Sequence, residues 1–324
     1  MEKRVTINIM RHPPKIFLNH YVKGDSSERN EFIQNLYQGL ANFGSVLLKG
    51  HGIAPERIQS AYRCFQNFFN LPEEIKKKYF DQKMAGQRGY VPFGKERAKD
   101  SKAPDLKEFF HVGRELSENH PYIKNKVYHP NIWPKEIHEM EENLKEFFTL
   151  LDNLGQHLLC ALEEALEAPK GYFQDIIKNG NTILRGIHYP PLDGLNVENS
   201  IRAGAHGDIN FITLLVCPTE SGLELLDRSE KRWIPMDSYF GEIEIHVGDM
   251  LSRITNQIIP TSIHRVVNPK CNKTSRYSMP FFVHPNPEAI LKCLPSCVQN
   301  KEKFLPINAH DFLMQRLKDI NLAY

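Results

Sequence analysis

The chain has 324 residues, of which 41% are hydrophobic and 25% are charged, the balance of an ordinary globular protein. Its formal net charge of +2 gives no strong field toward nucleic acid or an acidic membrane, so neither is an expected partner. Because the sequence lacks a bilayer-spanning apolar run, the apolar segment of a signal peptide and regularly spaced cysteines, it predicts a cytoplasmic protein with reduced thiols.

The first half of the chain predicts helices around one short strand. Three segments show the three- and four-residue apolar spacing of amphipathic helices: Ser26 to Phe43, Pro55 to Phe69 and Met140 to Leu166. The glycine-bounded apolar run 44–50 predicts a buried strand. Pro72, followed by two glutamates, predicts another helix start, whereas the glycine- and aromatic-rich segment 86–94 predicts a loop.

Short β-prone runs dominate the chain after Gly180. They are 182–189, 211–217, 223–226, 233–236, 242–247, 263–267 and 277–283, with Gly, Pro, Asn and Asp between them. Such evenly spaced short strands favour a sandwich or barrel over a parallel α/β sheet. A last helix is predicted over 309–320. The sequence therefore predicts an α+β protein in which a helical N-terminal half supports a mainly β core.

A metal site is predicted near the middle of this β region. His206 and Asp208 flank Gly207 at the mouth of the β-prone run 209–216, and side chains two apart on an extended chain point the same way. The chain contains one His-x-Asp, so the pair has no rival. His264, in a β-prone run directly after Pro260, is the best candidate for a third ligand.

The predicted ligands favour iron and a carboxylate beside it. Two imidazoles and one carboxylate that leave other positions open are typical of non-haem Fe(II) oxygenases. Arg276 and Ser278 follow as another pair two residues apart. The planar arginine fork fits a carboxylate with two hydrogen bonds, and a serine hydroxyl adds a third donor. We therefore expect a carboxylate co-substrate next to the metal.

With these motifs in order, the chain resembles the isopenicillin-N-synthase-like family of 2-oxoglutarate- and Fe(II)-dependent dioxygenases. The resemblance covers nearly the whole chain and is carried by these segments: 42–53, 105–108, 185–191, His206-x-Asp208, 264–266 and Arg276-x-Ser278. It implies a double-stranded β-helix, or jelly-roll barrel, with a C-terminal helix. It also implies that His206, Asp208 and His264 bind Fe(II), and that Arg276, Ser278 and Tyr189 hold the distal carboxylate of 2-oxoglutarate.

The predicted elements, with no linker between the two halves, also indicate an organisation for the chain. We expect one compact unit with an N-terminal mixed region over 1–120, supporting helices over 121–179, the catalytic core over 180–290 and a C-terminal helix over 291–324. Asn256-Gln257-Ile258 departs from a glycine-containing turn common in plant members, which argues against plant-type substrates. His51, His111, His188, His246 and His284 are interpreted as structural.

The implied reaction oxidises a C–H bond of a small molecule with O2 and releases succinate and CO2. Hydroxylation is the expected outcome, with desaturation or cyclisation for a different substrate pose. Arg88, Tyr90 and Phe93 in the glycine-rich loop, together with Phe282, are the candidate substrate contacts, although aromatic side chains more often pack in the core. Arg88 in this role would indicate an anionic substrate.

Other functions remain open at the level of sequence. One is an oxidase that uses O2 without 2-oxoglutarate, as isopenicillin N synthase does. Another is a Zn(II) hydrolase, since zinc also accepts histidine and aspartate, although Arg276, Ser278 and Tyr189 would have no role there. A third is a barrel that binds a metal or ligand without catalysis. The intact ligand set and carboxylate anchor argue against the non-catalytic barrel, whereas the oxidase shares the Arg-x-Ser pattern and stays an alternative.

Overall fold

The computed structural model describes residues 12–84, 86–96, 104–194, 200–236, 239–269, 271 and 273–319. Its helices, numbered in chain order, are α1 (Leu18–Lys23), α2 (Ser26–Phe43), α3 (Pro55–Phe69), α4 (Glu73–Lys76), α5 (Pro121–Lys124), α6 (Met140–Ala165), α7 (Tyr172–Ile177), α8 (Asp249–Ile254) and α9 (Ala309–Asp319). Among the described residues, none of these helices combines the length and the apolar character needed to cross a membrane.

The bounds of α2 and α3 are those predicted, because local signals begin and end both helices. Asp25 accepts hydrogen bonds from the N–H groups of Ser27 and Glu28, and the Glu28 carboxylate accepts one from Asp25 N–H, which makes a capping box. Gly44 ends α2 in the left-handed region, with φ of 73°. Pro55 occupies the first turn of α3, where its missing N–H costs nothing.

The strands are β1 (Lys15–Phe17), β2 (Ser45–Lys49), β3 (Gly89–Val91), β4 (Glu108–Gly113), β5 (Ile183–Tyr189), β6 (Ala203–His206), β7 (Ile212–Val216), β8 (Leu223–Asp227), β9 (Arg232–Pro235), β10 (Ile243–Val247), β11 (His264–Val266), β12 (Arg276–Val283), β13 (Ile290–Leu291) and β14 (Ile307–Asn308). Eight of them form one sheet in the order β1-β2-β10-β7-β12-β5-β4-β3. A four-stranded sheet has the order β6-β11-β8-β9, and β13 pairs with β14.

The two larger sheets face each other, as in the predicted jelly roll. Apolar side chains from both meet in one small cluster, for example Ile187 and Leu215 of the large sheet with Leu225 and Val266 of the small one. The outer face of the large sheet packs on α2, α3 and α6, where the main hydrophobic core lies. The N-terminal strands β1 to β4 belong to the large sheet, so the helical half and the β core share one structure. The predicted region boundaries stay a prediction.

Two local predictions were wrong. The segment 86–94 is not entirely a loop, because Gly89–Val91 pairs with β4 as strand β3. His206 and Asp208 do not open a continuous strand: His206 ends β6, and β7 begins only at Ile212. The pair lies where the chain crosses from the small sheet to the large one, which the β-prone composition of 209–216 did not reveal.

Candidate metal and co-substrate site

The three predicted metal ligands lie together at the crossing between the sheets. His264 of β11 is directly opposite His206 of β6 in the pairing register. The Oδ1 atom of Asp208 lies 3.9 Å from Nε2 of His206 and 4.0 Å from Nε2 of His264. One ligand atom from each residue lies within 4.8 Å of the others. Two imidazole nitrogens and one carboxylate oxygen thus converge on a single point.

Hydrogen bonds orient two of these donors. The Nδ1 atom of His206 lies 2.7 Å from the carbonyl oxygen of Gly204, so Nδ1–H donates and Nε2 keeps its lone pair. The Thr213 hydroxyl donates to Oδ2 of Asp208 at 2.5 Å, which leaves Oδ1 for the metal. Such partners fix the direction of metal ligands. Gly207 is also required, because a Cβ there would lie 2.5 Å from Cγ2 of Thr261.

The electrostatics of the site favour the protonation states that bind a metal. Burial lowers the pKa of His264 to about 3, and the neighbouring His206 adds to the effect, so its imidazole is neutral at neutral pH. Burial by itself would raise the pKa of Asp208, but the His264 and His206 side chains and the Thr213 hydroxyl hold it below its usual value. A neutral imidazole and an ionised carboxylate are the forms that bind a divalent metal.

A buried arginine with unused donors lies in the same cavity. Arg276 is 1% exposed, and its Nε donates to the carbonyl oxygen of Glu220 at 2.9 Å. Its Nη1 and Nη2 atoms have no hydrogen-bond partner in the described part of the chain. A buried cation with unmade hydrogen bonds is costly, so an acceptor belongs there. Tyr189 lies opposite Arg276 in the β5–β12 register, and Ser278 lines the cavity beside them.

A second buried guanidinium adjoins this arginine and was missed by sequence reasoning. Arg202 is fully buried, its Nη2 donates to the carbonyl oxygen of Thr274 at 2.7 Å, and its guanidinium carbon lies 5.9 Å from the Tyr189 ring centre. Burial, together with the nearby Arg276, lowers the pKa of Arg202. It adds a second positive charge near Tyr189. It precedes β6 outside any motif, so no local signal identified it.

The metal ligands and Arg276 open into one cavity of about 340 Å³, within the size range of small-molecule sites. The structure describes all four predicted substrate contacts, and of these only Phe282 lines the cavity. Arg88 is 1% exposed and packs closely on Gly113. A Cβ atom on Gly113 would lie only 1.9 Å from Cζ of Arg88. Tyr90 is fully buried with its hydroxyl on Glu108. Phe93 is 39% exposed and lies outside the lining.

Arg185 of β5, also missed, forms the polar end of the cavity. Its Nε donates to Nε2 of His111 at 2.5 Å, and its Nη1 lies 3.2 Å from Oε2 of Glu96. Its guanidinium carbon lies 4.0 Å from the ring centre of Phe109 and 5.3 Å from that of Phe282. Burial and the Arg185 charge hold the pKa of His111 well below its usual value, so His111 accepts as a neutral ring. Arg185 is thus a fixed, flat wall next to Phe282.

The C-terminal helix closes another side of the cavity. Leu313, Arg316 and Leu317 of α9 line it. Nη2 of Arg316 lies 3.0 Å from Oδ2 of Asp249, whose Oδ1 accepts a hydrogen bond from the Thr261 hydroxyl at 2.8 Å. The helix was predicted, but its contact with the site was not, because amphipathic spacing does not reveal what a helix packs against.

Three histidines interpreted as structural line the cavity: His111, His246 and His284. The His246 ring stands perpendicular to the His264 ring with centres 4.9 Å apart, and its Nε2 lies 3.2 Å from Glu244 Oε2. The other two lie elsewhere, with His51 bonded to the carbonyl oxygen of Gly241 and His188 to Glu108.

Comparison with protein families gives two matches that together cover most of the chain. Residues 14–136 match the family described as the N-terminal region of the non-haem dioxygenase in morphine synthesis. Residues 180–285 match the 2OG-Fe(II) oxygenase superfamily. The second match includes all six residues predicted to bind the metal and the co-substrate.

Individual relatives agree with these matches. A 2-oxoglutarate-Fe(II) type oxidoreductase of Aspergillus fumigatus is 28% identical over 313 residues, covering 94% of this chain and 92% of its own. A 2OG-Fe(II) oxygenase family protein of Caulobacter crescentus has a similar solved structure, with TM-score 0.84, 37% identity and coverage of 94% and 98%. A Neurospora crassa protein, solved in complex with alpha-KG and thymine, has TM-score 0.83, 27% identity and coverage of 94% and 96%.

Proposed function

The chain belongs to the 2-oxoglutarate–Fe(II) oxygenase superfamily and is a 2-oxoglutarate-dependent dioxygenase, and from that premise we propose which residues perform the reaction. His206, Asp208 and His264 hold Fe(II). The converging ligand atoms and the hydrogen bonds that orient them support this role. Bound Fe(II) supplies the activation of O2 and the oxidation of a C–H bond, coupled to the conversion of 2-oxoglutarate to succinate and CO2.

Arg276 binds the distal carboxylate of 2-oxoglutarate, with Ser278 and Tyr189 as further donors. The main support for this role is that both η nitrogens of Arg276 are buried and unpartnered among the described residues, in the cavity that the metal ligands line. In the described part of the chain, no carboxylate pairs with them. A two-point hydrogen bond to a carboxylate satisfies both nitrogens and fixes the direction of the bound acid. The neighbouring Arg202 strengthens the preference for an anion at this end.

The substrate is a small, uncharged molecule that binds against the surface formed by Phe282 and Arg185. The Neurospora crassa protein, which resembles this chain over nearly its full length, was solved with thymine, a molecule of that kind. The charged side chains at the polar end of the described cavity wall are two acids and two bases: Glu96, Asp105, Lys107 and Arg185. They pair with one another, so they leave no charge for an ionic substrate.

The chain's own side chains orient the reactants and exclude water. Apolar residues from both sheets and from α9 face the cavity: Ile183, Ile187, Leu215, Leu223, Val266, Leu313 and Leu317. A dry wall strengthens every electrostatic contact inside the cavity and protects reactive species from water. Arg185 cannot swing toward a substrate without losing its bonds to His111 and Glu96, so it acts as a rigid surface.

A succinate-release screen tests this function. The full chain is incubated with Fe(II), 2-oxoglutarate and O2 and a panel of small metabolites, in which each neutral compound has a carboxylate analogue of similar size. We expect succinate release stimulated by neutral members, and its loss in His264→Ala. Stimulation by carboxylates alone contradicts the uncharged substrate. O2 consumption that never requires 2-oxoglutarate contradicts the carboxylate anchor and indicates an oxidase instead.

A further inference from the structure

A buried aspartate outside the metal triad contacts the strand that carries His206. Asp105 is 4% exposed and lies shortly before β4. Its Oδ1 accepts a hydrogen bond from the backbone N–H of Gly204 at 2.9 Å, and its Oδ2 accepts one from Nζ of Lys107 at 2.9 Å. One carboxylate oxygen therefore holds the backbone of β6, and the other is held by a cation.

Strand β6 depends on this contact because it lies at the edge of its sheet. The four-stranded sheet ends at β6, whose pairing with β11 shifts register along its short length. An edge strand has backbone groups without a strand partner on its outer side. Asp105 gives the Gly204 N–H an acceptor that a neighbouring strand would otherwise supply. Beside it, the N–H of Leu106 donates to the carbonyl oxygen of Ile201 at 3.2 Å.

Gly204 in turn orients the ring of His206. Its carbonyl oxygen lies 2.7 Å from Nδ1 of His206, the nitrogen that does not face the metal site. A glycine has wide torsional freedom, so the direction of that carbonyl depends on what holds the residue. The partner of the second ring nitrogen sets the tautomer and the ring orientation of a metal-binding histidine. Contacts therefore run from Asp105 through Gly204 to His206.

Lys107 fastens Asp105 to the polar end of the cavity. Its Nζ lies 2.7 Å from Oε2 of Glu96 as well as 2.9 Å from Oδ2 of Asp105. Burial opposes the charge of Lys107, but Glu96 and Asp105 outweigh it and raise the pKa of Lys107 above its usual value. Lys107 is therefore a cation with two carboxylate partners. Because Glu96 also binds Arg185, the wall that faces the substrate and the strand that carries His206 share one network.

We propose that Asp105 is a positioning residue for the metal ligand His206, acting through Gly204, and that Lys107 holds Asp105 in place. The inference rests on the proposed role of His206 in metal binding. Without Asp105 the three ligands are still present, but the His206 ring loses its fixed direction. The expected consequence is a metal that binds more weakly and in an altered geometry.

Co(II) binding by the full chain tests the proposal, because Co(II) absorption reports coordination geometry without turnover. Asp105→Ala removes both hydrogen bonds. We expect its Co(II) dissociation constant to rise roughly 10- to 100-fold, the range for residues that orient metal ligands, with a changed absorption spectrum. Asp105→Asn keeps an oxygen for the Gly204 N–H, so it should restore most of the wild-type spectrum and lose less affinity.

Asp152→Ala is the matched control. Asp152 is a similarly protected carboxylate, 13% exposed, that receives two hydrogen bonds from Arg114, at 3.0 and 2.6 Å. Its loss also breaks an ion pair, but Asp152 lies outside the cavity lining. Both alanine variants are therefore expected to lose thermal stability, whereas only Asp105→Ala loses Co(II) affinity.

An unchanged Co(II) affinity and spectrum in folded Asp105→Ala overturns the positioning role. If Asp105→Ala does not fold, Lys107→Met decides, since it frees Asp105 while keeping its carboxylate, and unchanged Co(II) binding there overturns the proposal equally. A wild-type protein that binds Co(II) no better than His206→Ala contradicts the proposed metal site itself. The two failures are thereby distinguished.

Discussion

Two buried polar clusters lie on opposite faces of the same strands. On the cavity face, Arg276 of β12 is opposite Tyr189 of β5, and two nitrogens of Arg276 have no partner among the described residues. On the other face, Tyr277 is opposite His188, and His188 Nδ1 lies 2.7 Å from Oε1 of Glu108. Neighbouring residues on one strand therefore belong to two different environments, because side chains alternate between the faces.

The two clusters differ in how fully their hydrogen-bonding capacity is used. Around Glu108, the Lys76 ammonium at 2.7 Å, the Tyr90 hydroxyl at 2.5 Å and the His188 ring all contact the carboxylate. Burial would raise the pKa of Glu108, but His188, Lys76 and Tyr90 hold it below its usual value. The Glu108 carboxylate has three partners within the protein, whereas two nitrogens of Arg276 have none in the described part of the chain. Unused capacity in a buried group that lines a cavity favours a binding role, whereas saturation favours a structural one.

The largest loss of stability is expected when a partner of the buried Glu108 carboxylate is removed. Lys76→Met leaves the Glu108 carboxylate buried without its cation, so the free energy of unfolding should fall by about 3–5 kcal/mol. Denaturant unfolding measures this loss, and Co(II) binding by the folded fraction should be unchanged. Lys77→Met is the control, because that side chain is 60% exposed and its ion pair contributes about 0–1 kcal/mol. Equal losses in both variants contradict the structural role.

A substitution of Arg276 should instead weaken 2-oxoglutarate binding without lowering the stability of the protein. Arg276→Gln loses two charge-assisted hydrogen bonds of about 1.5–3 kcal/mol each, so the KM for 2-oxoglutarate should rise roughly 100-fold or more. The thermal unfolding temperature without 2-oxoglutarate should stay level or rise, because a buried unpartnered cation is removed. Arg57→Gln, at an exposed ion pair, should change neither. A destabilised variant with an unchanged KM would make Arg276 structural.

The free energy of unfolding of the metal-free protein should fall at acidic pH because of His284, a buried histidine of the cavity wall. Burial lowers the pKa of His284 to about 4 from an ordinary 6.5. The unfolded chain therefore takes up a proton near pH 6.5 that the folded protein refuses until about pH 4. Stability is full above pH 6.5 and falls as the pH drops, by up to about 1.4 kcal/mol per pH unit. Unfolding free energies measured between these limits should give a shallower slope for His284→Gln, and an identical slope contradicts the assignment.

The smallest expected effect is a difference in 2-oxoglutarate affinity between substitutions of Ser278 and Tyr277, which are neighbours on β12. Ser278→Ala loses one hydrogen bond to a charged group, so 2-oxoglutarate should bind roughly tenfold more weakly, equivalent to about 1.5 kcal/mol. Tyr277→Phe, on the opposite face of β12, should leave this affinity unchanged. Titration with 2-oxoglutarate under anaerobic conditions in the presence of Fe(II) measures both. Equal losses would show that the faces of β12 are not functionally distinct.

Periodic and end-capping signals were enough to predict most elements. Both bounds of α2 and α3 agree with the sequence, because the capping box, Pro55 and Gly44 act over a few residues. The turn flagged for its missing glycine adopts left-handed backbone at Asn256 and Gln257, with φ of 52° and 65°. The Asn256 side chain donates to the carbonyl oxygens of Cys297 and Lys301 and accepts from Lys303 N–H, which are tertiary contacts that a glycine rule does not anticipate.

Substrate contacts could not be predicted in the same way. The glycine-rich loop led to Arg88, which instead packs against Gly113 in the interior. The arginine that does line the cavity, Arg185, looks like any polar residue within a strand until the register places it beside His111. A side chain's face follows from alternation, but which face becomes the cavity depends on the opposing sheet.

The sequence by itself predicted the chemistry of the site, because residue type and a spacing of two along the chain are local properties. His206, Asp208, His264, Arg276 and Ser278 were all identifiable by residue type and order. Only the tertiary structure decided what holds and surrounds them. Gly204 and Asp105, 99 residues apart in the chain, meet at a sheet edge, and α9 reaches the cavity from the C-terminal end. Contacts across such separations leave no periodic trace, since they depend on how the elements pack.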